Sequence, residues 1–250
     1  MAKLNEIVSF LNKELKIKSI KDSSLNGLQV KCKSEVNKIG FAVDACLSTF
    51  EKAKKEKVDL LIVHHGVKWK PQEYPKIEKM RLNFLRKNKI SLYAAHLPLD
   101  SNPKYGNNMG LAKILNLNNI KTFAKYRKPS LGFKGIFMKK VRLSQVAKIL
   151  DESLSTKSKI LPFGEKKIKS IGIVSGGGSR SIEDAVKDNL DCLLVGEMPL
   201  IGYHRAKDFK LSIILSGHYA TETVGVKALM PIISKRFKVK TVFIDNPTGI

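Results

Sequence analysis

The chain is poor in cysteine and has no long hydrophobic run. Its three cysteines, Cys32, Cys46 and Cys192, show no CxxC spacing, which is typical of small buried side chains in a reducing compartment. No apolar run reaches the roughly 20 residues that a membrane-spanning helix needs. The N-terminal segment MAKLNEIVSFLNKELKIK has its apolar residues in helical spacing, without the apolar stretch of a signal peptide. We therefore expect a cytoplasmic protein with no membrane partner.

Acidic residues are also scarce. The 250 residues include 46 Lys and Arg but only 22 Asp and Glu, a formal net charge of +24. Residues 121–170 hold 14 basic and 3 acidic side chains, a net +11. Such a field favours polyanions, so nucleic acid is a candidate partner. The alternative is a lysine-rich composition without a polyanionic partner, which the predominance of Lys over Arg favours, because proteins that read DNA sequence rely on arginine.

Apolar runs alternate with segments of helical spacing along the whole chain. Continuous apolar strands separated by helices predict an α/β fold with mixed, mostly parallel sheets. The strands have similar spacing in the two halves, which predicts a duplicated β-α unit, with a first repeat at 1–120 and a second at 121–250. The alternative is one continuous sheet without a repeat. The principal predicted strands are Ile39–Asp44, Leu60–His64, Ser91–His96, Ile171–Ser175, Cys192–Glu197 and Ser212–Ser216.

Two adjacent histidines, His64 and His65, end one of these strands and are followed by Gly66. Neighbouring side chains of a strand point to opposite faces. Both imidazoles can reach one metal ion only if the strand ends there and the backbone turns, which Gly66 permits. Taken alone, the pair fits equally well with one packed and one exposed histidine.

Residues of metal-ligand type follow three further strands. Ligands of open α/β sheets bind at the carboxyl ends of the strands, which is where these residues stand. His218 and Glu222 are spaced i, i+4, so they share one face if a helix begins at residue 218. The residues concerned are His96 and Asp100 in HLPLD, Glu197 in LLVGE, and His218 and Glu222 in SGHYATE.

Imidazole and carboxylate ligands without thiolate suit Zn, Mn, Fe or Ni. Five or more ligands exceed the usual four of one structural zinc, which favours a two-metal centre. Such a centre indicates hydrolysis of a phosphoester, an amide or a ring C–N bond. Lys68 and Lys70, just after the HHG motif, could neutralise a phosphate, and Trp69 and Tyr105 could stack a base or simply pack.

The motifs HHG, YAAHLPLD, SGHYATE and NGLQV (Asn26 to Val30) resemble those of the dinuclear-metal proteins called GTP cyclohydrolase I type 2 homologues, or Nif-three-like proteins. The resemblance covers nearly the whole chain. It implies two intertwined α/β repeats around a shared metal site and a ring-shaped homohexamer. It also implies that His96 is a nearby site residue, taken here as the catalytic one, and that the ligands of two divalent ions are His64, His65, Asp100, His218 and Glu222.

Two functions follow from these observations. The first is a metal-dependent hydrolase of the GTP cyclohydrolase-like kind, acting on a nucleotide or a phosphorylated small molecule. The alternative is a ring-shaped protein that binds single- or double-stranded nucleic acid non-specifically and uses its metal for structure or assembly. The glycine triplet Gly176–Gly178 lies between a predicted strand and a helix, but it lacks the GxxxxGK[ST] pattern. It is therefore interpreted as a tight turn in preference to a phosphate-binding loop.

Overall fold

The computed structural model describes residues 1–124 and 130–249, so residues 125–129 of the basic stretch lie outside the described part. The chain forms two compact units. The first unit comprises Met1–Leu99 and Val226–Asn246, and the second comprises Asp100–Gly225 with the C-terminal residues from Pro247. These units are groups of residues in mutual contact. The expected division into duplicated repeats, 1–120 and 121–250, stays a prediction.

The first unit is built on a five-stranded sheet. Its elements are β1 (Ala2–Lys3), α1 (Leu4–Glu14), β2 (Gly27–Val30), β3 (Glu35–Val36), β4 (Lys38–Asp44), α2 (Leu47–Lys55), β5 (Leu60–His65), α3 (Pro75–Lys87), β6 (Ser91–Ala94) and, near the C-terminus, β13 (Lys240–Phe243). The strand order of the sheet is β13-β4-β5-β6-β2, in which β13, β4, β5 and β6 are parallel and β2 is antiparallel. The small strands β1 and β3 form a separate antiparallel pair.

The second unit is built on a six-stranded sheet. Its elements are α5 (Asn107–Ile114), β7 (Asn118–Phe123), β8 (Gly132–Arg142), α6 (Leu143–Leu154), β9 (Lys159–Leu161), β10 (Lys167–Val174), a 3₁₀ turn (Gly178–Ser181), α7 (Ile182–Lys187), β11 (Cys192–Val195), α8 (Leu200–Asp208) and β12 (Ser212–Leu215). Two further helices, α4 (Leu97–Asp100) and α9 (His218–Phe237), belong to this unit only in part, through Asp100 and residues 218–225. The strand order is β7-β8-β10-β11-β12-β9, with β10, β11 and β12 parallel at the centre and antiparallel strands outside them.

The central strands are buried because their residues are apolar on both faces. In β5, the run Leu60–Val63 is fully buried, and so is Cys192–Val195 in β11. Helices cover such a sheet with one apolar stripe each, as in α2, where Phe50 and Ala53 are buried while the lysines face outward. The predicted α/β class with mixed, mostly parallel sheets is confirmed. The alternative of one continuous sheet is wrong, because the strands form separate sheets.

Each large sheet uses an aspartate to join two neighbouring strands. The Asp59 carboxylate, just before β5, accepts hydrogen bonds from the backbone N–H groups of Asn37 (2.8 Å) and Lys38 (3.1 Å). The Asp191 carboxylate, just before β11, accepts from the backbone N–H groups of Lys169 (2.7 Å) and Ser170 (2.8 Å). In both cases the aspartate holds the start of one parallel strand to its neighbour.

None of the helices within residues 1–124 and 130–249 combines the length and the apolar character that crossing a membrane requires. The helix α9 has 20 residues, carries Pro231 in its interior and has Lys235 and Arg236 in its last turn.

Candidate metal centre

The histidine pair lies at the end of β5, between the ends of its two parallel neighbours. His64 is completely buried, and its Nδ1 lies 2.9 Å from the carbonyl oxygen of Ala95. His65 is half-buried, and its Nδ1 lies 2.8 Å from Oδ1 of Asp44 at the end of β4. The two imidazole centroids are 4.6 Å apart. The structure therefore brings the two rings together although the residues are neighbours in a strand.

The turn after the histidines is held by Gln29 of the NGLQV motif. Its Oε1 accepts hydrogen bonds from the backbone N–H groups of Val67 (2.8 Å) and Lys68 (3.1 Å), and its Nε2 donates to the Leu25 carbonyl (2.8 Å). A Cβ on Gly66 would lie 2.5 Å from Gln29 Nε2. The φ of Gly66 is not in the left-handed region. The glycine is needed for this close approach, which corrects the expectation that it supplies a special turn conformation.

His96 follows β6 by two residues and is held by an aspartate that the sequence did not indicate. Its Nδ1 lies 3.0 Å from Oδ1 of Asp22, and its backbone N–H donates to Oδ1 of Asn26 (2.7 Å). The Asp22 carboxylate also accepts from the backbone N–H of Leu97 (3.1 Å). Asp22 lies in a loop 74 residues away from His96 in the chain, so no local pattern could have revealed the pair.

Asp22 is a buried carboxylate that stays ionised. Its side chain is only 2% exposed. Burial by itself would raise its pKa, but hydrogen bonds and charge from His96, together with hydrogen bonds from Asn26 and Ser24, outweigh burial and lower the pKa of Asp22 to about 2. At neutral pH the carboxylate is therefore a fixed negative acceptor beside the imidazole.

The three imidazoles of the first unit form one cluster suited to a metal ion. The ligand nitrogens of His64, His65 and His96 all lie within 4.8 Å of one another. Because each Nδ1 faces an oxygen acceptor, the neutral tautomer carries its proton on Nδ1 and has its lone pair on Nε2. Metal-binding histidines commonly donate their other N–H to a carboxylate or a carbonyl in this way. The donor set fits a divalent transition metal of borderline softness.

In the second unit, His218 and Glu222 form a pair on the first turn of α9. The helix begins at His218, as the i, i+4 argument required, and His218 Nε2 lies 3.2 Å from Glu222 Oε1. Its Nδ1 lies 2.9 Å from Oε1 of Glu197, which follows β11 by two residues. Burial lowers the pKa of His218, but the hydrogen bonds and negative charges of Glu222 and Glu197 outweigh it and raise that pKa to about 9. The protonated, positively charged form of the His218 imidazole is therefore favoured between these two carboxylates.

Asp100 ends α4 and is buried in the second unit among polar side chains. Its Oδ1 accepts hydrogen bonds from Asn107 Nδ2 (2.8 Å) and from the hydroxyl of Ser175 (3.0 Å). Asn108 donates to the Asp100 carbonyl (3.2 Å) and accepts from the Ser175 backbone N–H (2.6 Å). The two asparagines of the GNNMG segment therefore anchor Asp100, a role that their sequence alone did not indicate.

The glycine triplet is a tight turn packed against His218 and Glu222. Gly176 has a left-handed φ of +61°, and a Cβ there would lie 2.2 Å from Glu222 Oε1 and 2.9 Å from His218 Nε2. Its carbonyl accepts hydrogen bonds from the backbone N–H groups of Gly196 (2.8 Å) and Glu197 (3.0 Å). The turn serves to let a carboxylate and an imidazole approach the backbone.

The fold and these side chains define a class: an α/β protein whose strand ends carry histidines and carboxylates suited to divalent metal. A family model described as Duf34/NIF3 (NGG1p interacting factor 3) matches residues 2–249. The chain belongs to this family, and the resemblance noted in its motifs is confirmed.

Several relatives match over nearly their whole length. A protein of Pyrococcus horikoshii named GTP cyclohydrolase 1 type 2 homolog is 48% identical over 248 residues, covering 98% of this chain and 99% of the relative. The Pyrococcus abyssi protein of the same name is 46% identical over 247 residues and covers 98% of each chain. Among solved structures, TTHA1606 from Thermus thermophilus superposes with a TM-score of 0.90 at 37% identity, covering 99% of this chain and 100% of that one.

Proposed function

We propose that the protein is a divalent-metal-dependent hydrolase acting on a nucleotide or a phosphorylated small molecule. The observation that carries the proposal is the cluster of three imidazoles in the first unit, whose ligand nitrogens lie within 4.8 Å of one another. Each of these histidines is held with its Nδ1 facing an oxygen. Packing alone does not account for the arrangement, because burying the polar ring of His64 completely costs free energy.

The proposed ligands are those implied by the family motifs: His64, His65, Asp100, His218 and Glu222, for two ions of Zn, Fe, Mn or Ni per chain. A bound divalent ion would supply Lewis acidity toward the substrate and toward an attacking water. In this proposal the carboxylates of Asp44 and Glu197 hold the Nδ1 protons of His65 and His218. A bound ion would replace the proton on His218 Nε2, so that the Nε2 atoms could serve as ligands.

His96 is proposed as the residue that handles the substrate proton. Asp22 holds the proton on His96 Nδ1, so Nε2 is the atom that accepts or returns a proton during hydrolysis. The negative Asp22 carboxylate also stabilises the imidazolium that forms when Nε2 is protonated.

Metal analysis of protein purified without chelator tests the ligand proposal. We expect the His65→Ala variant to retain less than half of the metal found in the wild type, because one imidazole ligand is lost. His204→Ala is the matched control: His204 is exposed on α8, outside the metal-ligand groups, so its loss should leave the metal content unchanged. Equal metal content in the two variants, or less than one ion per chain in the wild type, would contradict the proposal. Hydrolysis of a panel of nucleotides and phosphoesters, with Asp100→Ala as the inactive control, then identifies the substrate.

A second candidate function is non-specific nucleic-acid binding, and the paired strands β8 and β10 favour it. Lys139, Lys140 and Arg142 are exposed on β8, and Lys167 is exposed on β10. Lys167 stands directly opposite Arg142 in the antiparallel ladder. Like charges in that position destabilise a sheet, and a phosphate backbone lying over them would relieve the repulsion.

Titration with single- and double-stranded DNA across salt concentrations tests this second function. We expect replacement of Lys139, Lys140 and Lys167 by Gln to reduce the slope of log affinity against log salt by about 2 to 3 units, since each phosphate contact contributes about 0.7 to 0.9. The control replaces Lys54, Lys55 and Lys57, which are exposed elsewhere, and removes the same charge. Equal slopes in the two triple variants would show that this surface does not bind nucleic acid.

The ring-shaped homohexamer that the resemblance implies is part of both proposals. Light scattering measures the oligomeric state directly.

A further inference from the structure

A cleft lies beside the imidazole cluster in the first unit, between the loop after β5 and the start of α3. Its volume is about 410 Å³, within the range of roughly 300–1,000 Å³ that small-molecule sites occupy. The lining includes Val67, Trp69, Lys70, Tyr74, Ile77 and Arg81, together with the carboxylates of Glu73 and Glu78. Two aromatic rings, two aliphatic side chains, two cations and two carboxylates therefore line one cavity.

Trp69 forms a rigid wall that the cleft shares with the histidines. Its indole N–H donates to the Gly66 carbonyl (2.8 Å), and its backbone forms an antiparallel bridge with Ser24. Its ring meets His96 edge to face, with centroids 5.0 Å apart, and lies 6.2 Å from the His65 ring. Because its polar atom is satisfied and its position is fixed, the indole presents an apolar π surface that needs no rearrangement to receive a ligand.

The other side of the cleft carries a water-exposed aromatic ring and the guanidinium group of an arginine. Tyr74 is 67% exposed, and Ile77 beside it is 42% exposed. Arg81 is half-buried. In the part of the chain that the structure describes, no carboxylate forms an ion pair with its guanidinium. Glu78 lines the cleft as well, and its carboxylate accepts a hydrogen bond from Gln72 Nε2 (2.8 Å). A guanidinium in this position is suited to an anion that enters from outside.

We propose that this cleft binds a flat aromatic ring carrying an anionic group. The ring stacks against Trp69 and Tyr74, and the anion binds Arg81 and Lys70. Stacking on aromatic side chains tolerates any planar heterocycle, and the guanidinium selects those that carry a phosphate or carboxylate. Because Trp69 also contacts His96, a ligand held there lies beside the proposed metal centre. The inference rests on the proposed function only in taking this ligand to be the substrate of that centre.

Trp69 is the only tryptophan in the chain, so intrinsic fluorescence reports on this cleft. The protein as purified is titrated with GMP, guanosine and ribose 5-phosphate, and equilibrium dialysis of the same compounds gives a second readout. We expect saturable binding of GMP and at least about tenfold weaker binding of the other two, because each lacks one of the two recognised groups.

Variants of α3 and of the loop before it separate the contribution of ring stacking from the contribution of anion binding. We expect Arg81→Gln to weaken GMP about tenfold and to leave guanosine unchanged, whereas Tyr74→Ala weakens both and Tyr74→Phe neither. Arg86→Gln, at an exposed site on the same helix outside the cleft, is the matched control and should bind GMP as the wild type does. The inference is overturned if GMP shows no saturable binding by either readout, or if Arg81→Gln and Arg86→Gln bind it equally. Binding of GMP by His65→Ala protein that holds no metal would support the cleft even where the hydrolase proposal fails.

Discussion

Replacement of Gly176 by Ala is expected to destabilise the protein by about 2 to 5 kcal/mol and to disrupt the His218–Glu222 pair. The backbone at Gly176 is left-handed, with φ at +61°, which costs an alanine about 1 to 2 kcal/mol. The new Cβ would lie 2.2 Å from Glu222 Oε1. Glu222 is buried, so its carboxylate has little room to withdraw, and such overpacking typically costs a further 1 to 3 kcal/mol.

The measurements are urea unfolding and metal content, and Gly177→Ala is the matched control. Gly177 has φ at −78°, and the nearest atom to a Cβ there, Glu197 Oε1, is 4.0 Å away. Alanine at that position should be neutral or stabilise the protein by up to about 1 kcal/mol, because it restricts the unfolded chain without strain. Similar losses of stability in the two variants would show that the close approach of Gly176 to Glu222 is unimportant.

Replacement of Gln29 by Leu is expected to cost about 2 to 4 kcal/mol, although the two side chains are similar in size. The Gln29 side chain is buried and bonds the HHG turn through both its oxygen and its nitrogen. Leucine would leave the Val67 N–H buried without an acceptor and would also remove the acceptor of the Lys68 N–H. Each buried, unsatisfied group costs about 1 to 3 kcal/mol.

Unfolding free energies and the emission of Trp69, two residues beyond Val67, measure this effect. Gln72→Leu is the matched control, since Gln72 is exposed and its side-chain hydrogen bond to Glu78 is on the surface. Its effect should stay within about 0.5 kcal/mol. If Gln29→Leu is no more destabilising than Gln72→Leu, the hydrogen bonds of Gln29 do not hold the turn.

The sequence predicts those strands that are buried on both faces, because their residues form a continuous apolar run. Predictions for β4, β5 and β12 agree with the structure to within one residue at each end. Among the strands that were missed, β2 and β9 are short antiparallel strands at the sheet edges, and β7 alternates exposed polar residues with few apolar ones. An edge strand is stabilised by its partner's backbone, which leaves little mark on its own composition.

The sequence by itself determined the α/β class, the family and the chemistry of the candidate ligands, because those depend on residue type and on spacing along one strand or one helical turn. His64 and His65 at a strand end, and His218 and Glu222 one turn apart, are of this kind. Only the tertiary structure decided which acceptor holds each imidazole. Asp22 and His96 are 74 residues apart, and Asp44 and His65 are 21 residues apart. The tertiary structure also decided that Gly66 and Gly176 are needed for close approaches to other side chains, since such contacts arise only after distant segments have packed.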